Sequence, residues 1–130
     1  MKKKKIYLKI TDNYNEISEI FEYCLYDELN NIITYMENDV DVSIIIKDNI
    51  KIIRKSNNYK LELVFDNRMT NSIYEIYNPL MNIEVEVDTL VLKKDNKGFY
   101  IEYLLIMNNE NIGIYKIECK MEDIWILKKK

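Results

Sequence analysis

Ile83-Glu84-Val85-Glu86-Val87-Asp88 alternates apolar and acidic side chains without a break. A two-residue period puts Ile83, Val85 and Val87 on one face and the three carboxylates on the other, as in a strand with one buried and one solvated side. The same period recurs in both directions. Upstream, residues 73–77 read as a strand stopped at Asn78-Pro79, because proline cannot donate to a ladder and restricts the residue before it. Downstream the pattern continues through Leu92 to a turn at Asp95, Asn96, Lys97 and Gly98, whose glycine suits the positive φ that closes many hairpins. Residues 99–107 set Phe99, Ile101, Tyr103 and Leu105 against Tyr100, Glu102, Leu104 and Ile106. Residues 112–120 follow, with Gly113 marking a bulge or a close backbone approach.

The first half has the same texture. Ile6, Leu8 and Ile10 alternate with Tyr7 and Lys9. Val40, Val42, Ile44 and Ile46 lead through a two-residue turn at Asp48 and Asn49 into a return strand from Ile50, a hairpin signature. Leu61, Leu63 and Phe65 follow the turn at Ser56, Asn57 and Asn58. Residues 16–29 are ambiguous. Ile17, Ile20, Phe21, Cys24 and Leu25 fit a helical stripe that Asn15 could cap, yet Phe21, Tyr23 and Leu25 also alternate with Glu22 and Cys24. Ile32, Ile33 and Tyr35 look like a return strand. About ten short strands with hairpin-length turns point to an all-β antiparallel meander, closed as a barrel to remove its edges.

The 130 residues make one domain, with lysine-rich tails at 1–5 and 128–130. No apolar run is long enough for a membrane span, and a cytoplasmic protein is expected. The net charge of −3 hides seven basic residues at the ends; between them stand 12 basic and 22 acidic residues. Such a body repels phosphate backbones, and the terminal lysines read as solvated, solubilising tails, so neither nucleic acid nor membrane is an expected partner. The 22 Ile, 17 Lys and 16 Asn are what an AT-rich genome writes and carry little structural weight. His is absent, which removes the commonest general base and zinc ligand. Two glycines leave no phosphate-cradling loop or nucleophile elbow. Cys24 and Cys119 are expected to be reduced packing residues, and no metal, cofactor or catalytic residue is expected.

Strand order and local motifs resemble the YwiB-like proteins, a small bacterial family without an established activity. The resemblance runs from the strand at Lys5 through Phe21-Glu22-Tyr23, Ile32-Ile33-Thr34-Tyr35 and the hairpin of residues 42–55. Its best part is Glu62-Leu63-Val64-Phe65 to Thr89, with Ser72, Tyr74 and Pro79 near the family's positions. Where the family has Thr-Pro, an aromatic residue and glycine, this chain has Asn78-Pro79-Leu80-Met81. The resemblance implies a calycin-like (lipocalin-like) barrel of about 8–10 strands, a strand rather than a helix at residues 16–29, and a lumen able to hold a ligand.

A non-enzymatic binder of a small apolar or amphipathic molecule is therefore the leading expectation, with Tyr74, Tyr103, Phe65 and Tyr35 lining the barrel. Tyrosines among apolar walls present hydroxyls to a bound molecule. The alternative is a structural or protein-interaction module whose interior is filled by its own side chains and which works through its outer surface; under either reading the chain could form a homodimer. The apolar cluster Ile124-Trp125-Ile126-Leu127 could be a plug, a strand or a partner patch. An enzyme would need Glu84 or Glu86 beside a tyrosine inside a cavity. Glu84, Glu86 and Asp88 are instead expected to face solvent, offset by cross-strand lysines such as Lys51, Lys55 or Lys60.

Overall fold

The computed structural model describes residues 1–123. The cluster at residues 124–127 and the lysines at 128–130 lie outside the described residues. Ten strands follow in chain order: β1 (Lys2–Thr11), β2 (Ile17–Asp27), β3 (Ile32–Glu37), β4 (Val40–Ile46), β5 (Ile50–Lys55), β6 (Tyr59–Phe65), β7 (Met69–Ile76), β8 (Met81–Lys94), β9 (Gly98–Met107) and β10 (Glu110–Asp123). Each pairs antiparallel with its neighbour in sequence, and β1 pairs with β10, so the meander closes into a barrel. The ambiguous segment is strand β2. Helical and strand periods coincide there because both its faces carry apolar residues: Ile20 and Cys24 inside, Ile17, Phe21, Tyr23 and Leu25 outside and exposed.

The core is built from alternate residues of every strand but β7, which adds half-buried Tyr74 and buried Ser72: Ile6 and Leu8, Cys24, Ile33 and Tyr35, Val42 and Ile44, Ile50 and Ile52, Leu63 and Phe65, Val85 and Val87, Phe99, Ile101 and Tyr103, Ile117 and Cys119. Burying apolar side chains is worth about 1.5–3 kcal/mol each, so register is strongly specified: a one-residue slip would turn a strand's whole set outward. Asparagine supplies the turns. Asn15, Asn31, Asn38, Asn108 and Asn109 all have positive φ, which asparagine tolerates better than most residues. Asn108 and Asn109 together make the two-residue turn between β9 and β10.

Local expectations are corrected in four places. Residues 2–5 belong to β1 rather than to a tail, laddered to β2 and β10. Lys3 and Lys5 lie over the Tyr23 ring, Lys4 over Tyr26, and Lys2 pairs with Glu28 at 3.0 Å. The β4–β5 connection has three residues, closed by a bond from the Lys47 N–H to the Asn49 carbonyl. Gly98 does not take a positive φ; a Cβ there would come within 1.9 Å of the Cys119 carbonyl oxygen, so close strand approach is what demands glycine. Glu84, Glu86 and Asp88 do face outward, but their cross-strand neighbours are Ile73, Asn71, Met69, Ile106 and Leu104 rather than lysines. Gly113 sits at the expected bulge in β10.

Two seams interrupt the wall. The β2–β3 ladder has only the pairs Leu25–Thr34, Tyr26–Ile33 and Asp27–Ile32. The β6–β7 ladder runs from Tyr59 to Glu62 on one strand and Ile73 to Ile76 on the other, then stops. Side chains continue the second seam: the Val64 N–H donates to Ser72 Oγ at 3.1 Å, and Thr70 Oγ1 donates to the Val64 carbonyl.

Candidate functional site in the barrel lumen

The inner face changes character along the barrel axis. At the end carrying the β2–β3, β4–β5 and β8–β9 turns, inward-facing Ile33, Ile44, Ile50, Phe65, Phe99 and Cys119 are buried and form a packed floor. Toward the opposite end, inward-facing Ile10, Ile20, Leu61, Tyr74, Ile83, Leu105, Met107 and Tyr115 are only half-buried. Tyr26, Ile46, Leu92 and Met121 are half-buried at the floor end as well, so the middle of the barrel is packed and both mouths are wetter.

All four residues expected to line the barrel point inward. Phe65 is fully buried and meets Tyr103 edge-on at 4.8 Å between ring centroids; Tyr103 in turn stacks on Tyr115 at 5.6 Å. Tyr74 lies higher, half-buried, its ring edge-on to Tyr59 at 6.1 Å. Tyr35 is 7% exposed and Tyr103 5%. Among the described residues neither hydroxyl has a hydrogen-bond partner, and the buried Oγ1 of Thr89, opposite Tyr103, has none either. Burial pushes the Tyr35 hydroxyl pKa upward, helped by the Glu37 carboxylate; burial and the neighbouring Tyr115 do the same to Tyr103.

Charged groups also enter the lumen, and the sequence reading passed over them. Arg54 continues the inward parity of Ile50 and Ile52, and Glu37 that of Ile33 and Tyr35. The two form a short, partly buried ion pair across β4, and the guanidinium also interacts with the Tyr59 hydroxyl. Burial lowers the Arg54 pKa, but the hydrogen bonds its guanidinium makes to Glu37 and Tyr59 outweigh it and the net shift is upward. Glu22 alternates with outward-facing Phe21 and Tyr23 and so faces in, within electrostatic reach of the Tyr35 hydroxyl, yet it is solvent-exposed. That combination arises because β2 and β3 part company beyond Leu25. The signal for Glu22, Glu37 and Arg54 was present in the chain: each is a charge at an inward position of an alternating strand.

Besides one of about 640 Å³ over β8, β9 and β10 beside the β8–β9 turn, two recesses lie elsewhere. One of about 720 Å³ opens at the floor end between Tyr26, Ile33, Ile46, Cys119, Met121 and the loops bearing Lys47 and Lys97. The other, about 680 Å³, runs over the outer face of β2, β1 and β10, where Tyr7 and Phe21 approach to 4.8 Å. There the Tyr7 hydroxyl donates to Glu19 at 2.6 Å, which with burial and that carboxylate's charge carries its pKa up to about 12. Cys24 and Cys119 are free and buried, on strands separated by β1; burial pushes Cys119 up to about 12. Among the described residues no three His, Cys, Asp or Glu side chains gather into a metal-binding group.

The chain is thus a ten-stranded antiparallel β-barrel with charged and hydroxyl groups on its inner wall. Its fold is that of the YwiB protein from Bacillus subtilis, whose crystal structure superposes with a TM-score of 0.67 over 94% of this chain and 90% of that one, at 16% identity. The resemblance read from the strand motifs therefore holds at the level of structure. No protein-family model and no curated protein matches the sequence.

Proposed function

We propose that this YwiB-like barrel is a non-enzymatic binder that takes a small apolar or amphipathic molecule into its upper lumen. The observation that carries this reading is the pair of inward-facing tyrosines, Tyr35 and Tyr103, 7% and 5% exposed, whose hydroxyls have no protein partner among the described residues, together with the buried, unpaired Oγ1 of Thr89 opposite Tyr103. A buried hydroxyl left unpaired costs about 1–3 kcal/mol, and a water or ligand polar group in the lumen removes that cost. Apolar walls from Leu61, Ile83, Leu105 and Met107 supply the rest of a small-molecule site. Reduced Cys24 and Cys119 fit a cytoplasmic location.

Native mass spectrometry of protein purified from its host tests this. The expected result is a reproducible small-molecule adduct that disappears on denaturation and is lost from a Leu105→Trp variant that fills the lumen. A clean apo mass for the wild type would overturn the reading.

A second reading, an interaction module, is favoured by the outer face of β2. Phe21 is 71% exposed there, and Ile17, Tyr23 and Leu25 stand exposed beside it. In the same measurement this reading gives an apo barrel bound to a second protein or to a second copy of the chain.

A further inference from the structure

The lumen reading can be taken further, to the class of ligand, from what borders the open β2–β3 seam. Extending the register of Leu25–Thr34 up the two strands sets Glu22 level with Glu37 across the gap, with Tyr35 one inward position below Glu37. Only one of these two carboxylates is neutralised. Glu37 is bound by Arg54, whereas Glu22 makes no ion pair or hydrogen bond among the described residues. Tyr35 is 7% exposed, and its hydroxyl has no partner among the described residues and feels both carboxylates.

An anionic ligand fits this doorway poorly. To reach Arg54 it would displace Glu37, a carboxylate whose side chain is 19% exposed, and leave that charge unpaired in a partly dry site. It would also meet Glu22. A cation encounters the reverse situation: a free carboxylate at Glu22, a second one already held in place by Arg54, and the aromatic ring of Tyr35, whose face attracts positive charge.

We infer that the β2–β3 seam admits and anchors a cationic amphiphile, its ammonium group at Glu22 beside Tyr35 and its apolar chain in the upper lumen. This rests on the binding-lumen reading, and the experiment separates the two. Calorimetric titration at low salt compares three probes of one chain length: decyltrimethylammonium, decanoate and decanol. The wild type is expected to bind decyltrimethylammonium at least about tenfold more tightly than decanoate, with decanol between them. Glu22→Gln is expected to abolish most of that preference with an unchanged melting curve, since Glu22 is exposed. Glu84→Gln removes the same charge from the outer wall and is expected to leave the preference intact. Equal binding of the three probes, tighter binding of decanoate, or a preference surviving in Glu22→Gln would overturn the cation assignment while leaving a binding barrel. Failure of all three probes to bind would overturn the binding barrel and the assignment together.

Discussion

Ser72 is the buried polar side chain of the core among the described residues, and its work is to stand in for a backbone. Where β6 and β7 diverge, its Oγ takes the Val64 N–H that a ladder partner would otherwise take. Ser72→Ala leaves that N–H without an acceptor, and the expected cost is about 1–3 kcal/mol in urea unfolding with an unchanged m-value. A loss below about 0.5 kcal/mol would mean that water reaches Val64 through the seam. The sequence marked Ser72 only as part of a strand motif, because its partner lies on another strand and no local period points to it. Asparagine shows the converse. Its abundance reads as codon bias, yet Asn15, Asn31, Asn38, Asn108 and Asn109 hold the positive-φ positions of the turns. Composition could not reveal this; position between two alternating runs could have.

At the scale of elements, the informative strands are those whose inward row ends in a charge. β3 runs Ile33, Tyr35, Glu37 and β5 runs Ile50, Ile52, Arg54, so each strand starts in the core and finishes at a half-wet rim. The Arg54–Glu37 pair ties these strands together over β4. Removing one partner strands the other, so Arg54→Ala is expected to cost about 1–2 kcal/mol, discounted from a fully buried pair because both side chains retain some solvent. The double variant Arg54→Met with Glu37→Leu is expected to recover most of that loss. A denaturant double-mutant cycle measures the coupling; strictly additive single losses would show that the two side chains do not hold each other. The alternating pattern was legible for nearly every strand. β2 was not, since a strand flanked by an open seam and an outer groove has apolar residues on both faces, and the two periods then cannot be told apart.

Closure of the whole molecule was readable from the count of strands and the shortness of their turns, while the seams and the charged doorway depend on which strand ends diverge, a property no single segment carries. Closure also decides how the molecule answers to pH. It gathers Cys24, Tyr35, Tyr103 and Cys119 into one interior, and burial raises the pKa of all four; Lys4 offsets part of the shift at Cys24. Each is an acid whose neutral form the folded barrel favours. Below the unfolded values, 9.0 for the thiols and 10.0 for the phenols, folded and unfolded chains bind the same protons at these sites and their contribution to stability is complete. As pH rises past those values the unfolded chain releases protons that the barrel retains, so unfolding gains up to about 1.4 kcal/mol per pH unit for each such group. With no histidine to titrate near neutrality, these sites leave stability level from about pH 7 to 8. It is expected to fall from about pH 9, more steeply above pH 10, as the thiols and then the tyrosines come into play. Urea melts taken across pH 7 to 11 measure this directly. In the double variant Cys24→Ser with Cys119→Ser the decline is expected to begin later by roughly one pH unit, because both early contributors are gone and the tyrosines remain. An onset unmoved in that variant would show that the thiols are not what opens the barrel to base.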